Sequence, residues 1–231
     1  MPSDPLLSTL VAAVDWLMPV TFASVWWVLW RSRAEGPAAW QLAVPLLVAF
    51  GWGVLWAFVP ALAALRLNPP PGGQAGAILA LFLGLIGLLA LPAARRFFRT
   101  ARLANLVALG PWRFVYGALI LAIGVNGGLP PSFFWSVGIV DILVGLWACA
   151  ILLAVRDIST PHLVAWNVAG AIDLTHVLVL GALHLRDFFL ADPGIPALNL
   201  LPLAGVPLFL AIHVLTIWGL SQSNRGRTAR A

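Results

Sequence analysis

The sequence is poor in charge and in cysteine, and each shortage narrows the classes of protein that it can encode. Only 9% of its 231 residues are charged, whereas soluble globular proteins carry roughly 25%. Hydrophobic residues make up 61% of the chain, which indicates an integral membrane protein with no stretch long enough for a separate soluble domain. The single cysteine, Cys149, excludes an intramolecular disulfide.

Lysine is absent altogether. Covalently bound retinal is therefore excluded, because retinal forms its Schiff base with a lysine amine. All thirteen basic residues are arginines, and they lie mostly between apolar runs. Nucleic-acid binding would favour a basic face with exposed aromatic residues. The arginine distribution instead fits membrane topology, so we predict the lipid bilayer as a partner and no nucleic acid.

Several catalytic motifs are also missing. The chain has no G-x-x-x-x-G-K-[ST] loop, which argues against an ATP-driven pump, and neither G-x-S-x-G nor H-E-x-x-H, which disfavours the common hydrolases. The sequence therefore leans towards a protein that is not an enzyme. No basic segment precedes the first apolar run, so we expect that run to stay as a transmembrane helix rather than to be removed as a signal peptide.

Seven apolar runs have about the length needed to cross a bilayer, which takes roughly 20 residues. They cover residues 6–30, 40–65, 75–91, 112–128, 132–155, 163–184 and 198–220. The runs are continuously apolar, which favours helices over the alternating strands of a barrel. We predict an all-α protein, a single domain over residues 1–231 that forms a bundle of seven transmembrane helices.

The arginines predict the orientation of this bundle. Eleven of them follow odd-numbered spans or, in the case of Arg113, begin the fourth, and only Arg66 and Arg186 lie on the other side. Arginine is enriched in cytoplasmic loops. We therefore predict an outside N-terminus and a cytoplasmic C-terminus in the cytoplasmic (inner) membrane.

Residues 93–108 predict a separate basic helix on the membrane surface. Arg95, Arg99 and Arg102 share one face of this helix, whereas Phe97 and three alanines lie on the opposite face, with Leu106 on the arginine side. Two interpretations stay open at this point. The arginines either anchor the topology on anionic lipid or form a cluster that binds a phosphorylated ligand.

The sixth and fifth spans carry ionisable residues near their middles. Asp173 and His176 lie in the sixth, and an ionised carboxylate at the bilayer centre costs about 2.5 kcal/mol or more, so Asp173 should face protein or water. In the fifth span, Asp141 has Gly138 and Gly145 on its face, where small residues let another helix approach closely, and the sixth span is the expected neighbour. We predict that Asp141, Asp173 and His176 share one interface.

Depth along the helices, at about 1.5 Å per residue, adds further polar residues to this interface. Asp15 and Asn126 fall in the same outer half of the membrane as Asp141, and Asn167 lies nearer the cytoplasm. These residues predict an outward-open pocket for a proton, an ion or a small polar ligand. The alternative is a buried polar cluster that only fixes the packing of the helices.

A metal or haem is the other kind of site considered. Asp173 and His176, three residues apart on one helical face, could both bind a metal ion, with Asp141 and His213 completing a set of four ligands. Haem could lie between His176 and His213. The spacing permits these cofactors without requiring them, and we expect no cofactor.

The segments Gly138–Gly145 and Asn167–Leu174, followed by Pro207 and His213, resemble an uncharacterised group of bacterial multi-span membrane proteins. The resemblance covers the C-terminal half, from Trp112 onwards. It implies a bacterial cytoplasmic membrane protein and indicates no particular activity.

The leading hypothesis is a protein that binds or transports a small ligand or ion with proton coupling. Asp173 would be the central proton or cation site, Asp141 its partner and His176 a proton relay, while Asn126 and Asn167 would bind the ligand through hydrogen bonds. The alternative is a haem- or metal-binding redox protein or enzyme. A sensor or a structural subunit of a membrane complex is the third, and the oligomeric state stays open.

Overall fold

The computed structural model describes residues 5–33, 43, 46–47, 51, 92–154, 158–191, 201 and 205–228. Within these ranges every regular element is a helix and no strand occurs, which confirms the all-α prediction for them. The elements are α1 (Pro5–Ser32), α2 (Pro92–Thr100), the 3₁₀-helix η1 (Leu103–Leu109), α3 (Pro111–Val125), α4 (Pro131–Ala154), α5 (Thr160–Ala191) and α6 (Val206–Thr228).

Four helical segments are long and apolar enough to cross a membrane. They are Pro5–Ser32, Leu103–Val125, Pro131–Leu153 and Thr160–Gly181, and a shorter apolar helix covers Val206–Gln222. The predicted second and third spans, 40–65 and 75–91, lie outside the described residues except at 43, 46–47 and 51. The count of seven spans and their orientation therefore stay predictions.

The predicted surface helix over 93–108 is wrong in extent. Helix α2 ends at Thr100, and η1 follows it as a separate element. The break is held by the backbone N–H of Arg102, which donates to the Ser32 carbonyl at 2.8 Å. Leu106, predicted on the arginine side, is only 1% exposed and belongs to the core. The apolar side chains of η1 therefore turn into the bundle instead of lying on a membrane surface.

This change extends the fourth span towards the N-terminus. It begins at Leu103 rather than at the predicted residue 112 and ends at Val125, so Arg113 lies near its middle instead of at its start. Gly110 joins the two parts, and Pro111 begins α3, where its missing N–H leaves no hydrogen bond unmade.

A short turn makes α3 and α4 antiparallel neighbours. Gly127 has a φ of 79°, a left-handed conformation that ends many helices. Its N–H donates to the Gly124 carbonyl at 2.9 Å, and the N–H of Gly128 donates to the Ile123 carbonyl at 2.9 Å. These two bonds satisfy carbonyls at the end of α3, and Pro131 then begins α4.

Glycines bring α3 and α4 into close contact. A Cβ atom placed on Gly117 would lie 2.7 Å from the Gly138 carbonyl oxygen and 2.8 Å from the Cβ of Asp141. Gly145 lies in the same way against the backbone of Phe114. The glycines beside Asp141 thus permit a close helix neighbour, as predicted, but that neighbour is α3 rather than the sixth span. Small residues at such an interface let the two backbones approach.

Helix α1 packs against α3 of this pair, and α5 packs against α4. The indole N–H of Trp112 donates to the Ser24 hydroxyl at 2.6 Å, and the hydroxyls of Tyr116 and Thr21 lie 2.7 Å apart, which joins α1 to α3. Helix α6 packs against α5 and against α2. The site described below lies where α3, α4, α5 and α6 meet.

We predict that Gly117→Ala lowers the thermal stability of the protein in detergent. The added methyl group has no room between the Gly138 carbonyl and Asp141, and overpacking of this kind costs about 1–3 kcal/mol. Gly51→Ala is the matched control, because a Cβ there meets no atom of the described residues within 4 Å. Equal melting temperatures for the two variants would contradict the close packing of α3 on α4.

Candidate functional site

One guanidinium joins three helices inside the bundle. Arg113 of α3 is 3% exposed, and its Nε donates to Asp141 Oδ1 of α4 at 2.5 Å. Its Nη2 donates to Asp173 Oδ2 of α5, and its Nη1 donates to the Gly170 carbonyl of α5 at 3.3 Å. We call Arg113, Asp141 and Asp173 the buried triad.

The local sequence explains why the three side chains meet. Gly117 and Gly138 let α3 and α4 approach, which places Asp141 beside the α3 backbone. On α5, Gly170 and Asp173 are three residues apart and so share one helical face. The planar guanidinium offers several donors in a fixed fork, which suits recognition of two carboxylates and a carbonyl at once.

The buried triad has one more negative charge than positive charge. Asp141 is 6% exposed and Asp173 is 3% exposed, and removal of an ion from water costs several kilocalories per mole unless it is paired. Asp173 Oδ1 is buried and, among the described residues, has no hydrogen-bond partner. A proton or a cation at this oxygen would neutralise the triad.

A second polar group, the histidine cluster of Trp166, Asn167 and His213, lies beside the triad. The Asn167 amide nitrogen donates to the Leu163 carbonyl at 2.7 Å, which turns the amide oxygen towards His213 Nδ1 at 2.9 Å. An amide oxygen only accepts hydrogen bonds, so this arrangement assigns a proton to Nδ1. The Trp166 ring meets the His213 ring at an angle of 63°, with centroids 4.9 Å apart.

Gly170 connects the two groups. Its carbonyl accepts a hydrogen bond from Arg113, and its α-carbon lies so close to the His213 imidazole that an added methyl group would collide with the ring. The imidazole and the guanidinium therefore contact the same residue of α5. Any shift of α5 in this region has to move both contacts together.

The other predicted site residues have different surroundings. His176 is half-buried, and its Nε2 lies 3.4 Å from the Ser136 hydroxyl of α4 rather than against the guanidinium. Asn126 is exposed, and its side-chain amide donates to the Ala122 carbonyl of its own helix at 2.8 Å. Asp15 lies in α1, but its side chain is outside the described residues.

The predicted pocket does not unite these residues in the described structure. Asn126 is the C-terminal cap residue of α3, and its exposed side chain bonds to its own helix rather than to the triad. Asn167 is fully buried and binds His213 rather than facing an open pocket. Of the predicted residues, the structure brings Asp141 and Asp173 to one group.

The described residues contain no group of three or more histidine, cysteine, aspartate or glutamate side chains that could hold a metal ion. The predicted metal ligands do not come together, because Arg113 lies between Asp141 and Asp173. The imidazole of His213 faces Asn167 instead. His176 and His213 likewise have different partners, Ser136 and Asn167, so the described geometry gives no support to haem between them.

Arg113 is the site residue that the sequence does not single out. Its position groups it with the arginines that mark the cytoplasmic side, whereas the structure buries it between two carboxylates. The apolar residues that precede Arg113 are the sequence feature that could reveal its burial. Counted from Leu103 rather than from Trp112, the fourth span places Arg113 at its centre, where an arginine needs an anionic partner.

The comparison with protein families matches residues 70–221 to a domain of unknown function (DUF8737). The chain belongs to the DUF8737 family. The matched range includes the buried triad and the histidine cluster, so the whole candidate site lies within the DUF8737 domain. This match agrees with the predicted resemblance to a group without an assigned activity. No curated protein and no solved structure matches the chain.

We predict that Arg113→Met destabilises the protein by about 3–5 kcal/mol, because it leaves two buried carboxylates without their cation. The measurement is thermal or denaturant unfolding in detergent. The triple variant Arg113→Met, Asp141→Asn and Asp173→Asn should recover part of the loss, since it buries no charge. Arg31→Met is the control, because Arg31 is exposed. A triple variant less stable than Arg113→Met would contradict the charge argument.

We also predict that Gly170→Ala and His213→Ala are not additive. Gly170→Ala alone should cost about 1–3 kcal/mol, since the methyl group collides with the imidazole. In a His213→Ala background most of this cost should vanish, giving a coupling energy of about 0.5–3 kcal/mol in a double-mutant cycle. Gly117→Ala, whose clash lies elsewhere, should be additive with His213→Ala. Additivity in both cycles would exclude the Gly170–His213 contact.

Proposed function

We propose that this DUF8737 protein binds a proton at the buried triad and uses it to move a small ligand or ion across the bacterial cytoplasmic membrane. The proposal includes the seven-span topology with an outside N-terminus. The observation that carries it is Asp173 Oδ1, a buried carboxylate oxygen without a hydrogen-bond partner among the described residues. The two carboxylates of the triad share a single cation.

The charge balance favours a proton as the particle bound at Asp173. One guanidinium and two carboxylates leave a formal charge of −1 in a low-dielectric interior, where an uncompensated charge is costly. A proton on Oδ1 makes the triad neutral and needs no cluster of ligands. A metal ion would need several ligands, and the described residues supply no such group.

Protonation changes how tightly α5 is held. The hydrogen bond from Arg113 to ionised Asp173 is charge-assisted on both sides, and such bonds are roughly twice as strong as neutral ones. A proton on Asp173 removes the charge from one partner, whereas the bond from Arg113 to Asp141 stays between ions. Protonation of Asp173 therefore weakens the bond from Arg113 to α5, whereas the bond from Arg113 to α4 keeps its strength.

The packing of the helices indicates which helices would move when Asp173 is protonated. Helices α3 and α4 form the most extensive contact among the described elements, and their glycines make it close. Helices α5 and α6 form the next most extensive contact, through Gly170 and His213 among others. We propose that the α5–α6 pair shifts against the α3–α4 pair when Asp173 takes up or releases its proton.

His176 is the proposed relay between this site and the surface. It lies three residues after Asp173 on α5, is half-buried, and contacts the Ser136 hydroxyl of α4. An imidazole has two ring nitrogens, one that can accept a proton and one that can donate a proton, so it can pass a proton along hydrogen-bonding groups. Its replacement should slow proton exchange at Asp173 without removing the binding site.

Infrared titration tests proton binding without knowledge of the transported ligand. We predict that the purified protein shows the carbonyl band of a buried protonated carboxyl group as the pH falls, and that Asp173→Asn removes this band. Thr175→Val is the control, because Thr175 lies on the same helix, is exposed and donates its hydroxyl hydrogen bond to the Ala171 carbonyl of its own helix. A band that persists unchanged in Asp173→Asn would place the proton elsewhere.

Proton movement is measured in proteoliposomes that contain a pH-sensitive dye, with a potassium gradient and valinomycin to set the potential. Proton uptake should be lost in Asp173→Asn and retained in Thr175→Val. His176→Ala should slow the uptake, since it removes the relay. A folded Asp173→Asn protein that moves protons as fast as the unaltered protein would refute the assignment.

A further inference from the structure

Helix α2 has two faces of opposite character. Arg95, Arg96 and Arg99 are exposed, whereas Phe97 and Phe98 are 1% and 7% exposed. The two phenyl rings meet edge to face with centroids 5.0 Å apart. The phenylalanines fix the helix to the bundle, so the arginines are held on its outer side.

Contacts at both neighbouring helices hold α2 in place. The Phe98 carbonyl lies against Gly219 of α6, where an added methyl group would collide with it. The Arg99 guanidinium lies over the Trp218 ring of α6, 5.7 Å from its centroid, a favourable cation–π arrangement. After the helix, the Arg102 N–H donates to the Ser32 carbonyl at the end of α1. The arginines are therefore presented from a rigid support.

The outer side of α2 forms an open depression of about 370 Å³, lined by Pro92, Arg95, Arg96, Arg99 and Thr100. Three of these five residues are arginines and none is acidic. A guanidinium presents a planar fork of donors that matches the oxygens of a phosphate group, and such pairs are among the strongest hydrogen bonds in proteins. The chemistry of the lining is thus that of a phosphate-binding site.

We infer that the α2 depression binds a phosphate group, supplied by the headgroup of an anionic phospholipid. Helix α2 lies beside the C-terminal end of the segment Pro5–Ser32 and directly before Leu103, where the next apolar segment begins. It therefore lies at the level where a membrane places its headgroups. Arginines on a helix next to a membrane span are typical of recognition of anionic lipid. The site is separate from the triad and independent of the proposed proton function.

Native mass spectrometry of the full-length protein tests this site. The probe is an equimolar mixture of phosphatidylglycerol and phosphatidylcholine in detergent micelles. The unaltered protein should retain phosphatidylglycerol in preference. The triple variant Arg95→Gln, Arg96→Gln and Arg99→Gln should lose the preference, with about a fivefold fall in affinity for each arginine removed.

Arg31→Gln is the matched control for Arg99→Gln. Both arginines are exposed and lie over a tryptophan, with Arg31 5.9 Å from the Trp27 centroid and Arg99 5.7 Å from the Trp218 centroid, but only Arg99 lines the depression. Arg99→Gln should weaken phosphatidylglycerol binding, and Arg31→Gln should leave it nearly unchanged. An equal loss in both variants would show general attraction to charge and overturn the site.

Two further measurements complete the test. Calorimetric titration with inorganic phosphate distinguishes a lipid headgroup from a soluble ligand as the source of the phosphate group. Phosphate binding that is lost in the triple variant would support the phosphate site and assign it to a soluble ligand. Lysine at the same three positions keeps the charge without the guanidinium fork, so this variant should retain part of the preference and melt like the unaltered protein. Absence of both lipid preference and phosphate binding in the unaltered protein would overturn the inference.

Discussion

The ion pairs of Arg113 set the arrangement of the described helices. A guanidinium buried among apolar helices has to meet its counter-charges, and these come from Asp141 on α4 and Asp173 on α5. The pairing is geometrically feasible because Gly117 and Gly138 bring α3 and α4 close together. The pairing also fixes the position of α5 along its axis relative to α3, since the Gly170 carbonyl accepts a third hydrogen bond from the Arg113 side chain.

The same pairing gives the triad two carboxylates for a single guanidinium. If the interaction served packing alone, one carboxylate would satisfy the guanidinium, and the second would add a desolvation cost without a charge to balance it. The unpartnered Asp173 Oδ1 shows where that cost is concentrated among the described residues. Protonation of this oxygen would remove the desolvation cost of the second carboxylate, and deprotonation would restore it. This alternation is the energetic basis of the proposed transport cycle.

Much of the helical framework could be predicted from the sequence, because apolar runs of span length have few alternatives. The meeting of Asp141 and Asp173 followed from the cost of an isolated carboxylate in a membrane. The partner of the glycine face could not be predicted, since α3 and α5 are both neighbours of α4 in the chain. The role of Arg113 could not be predicted, because the start of its span depends on η1, a 3₁₀-helix whose apolar side chains are buried in the bundle.

The arginines show that environment decides the role of a residue type. Arg99 is exposed on α2 and suits an anionic ligand, Arg31 lies over a tryptophan at the end of α1, and Arg113 is buried between carboxylates. Removing Arg113 from the topology count leaves ten arginines on one side against two on the other. The proposed orientation is therefore independent of Arg113.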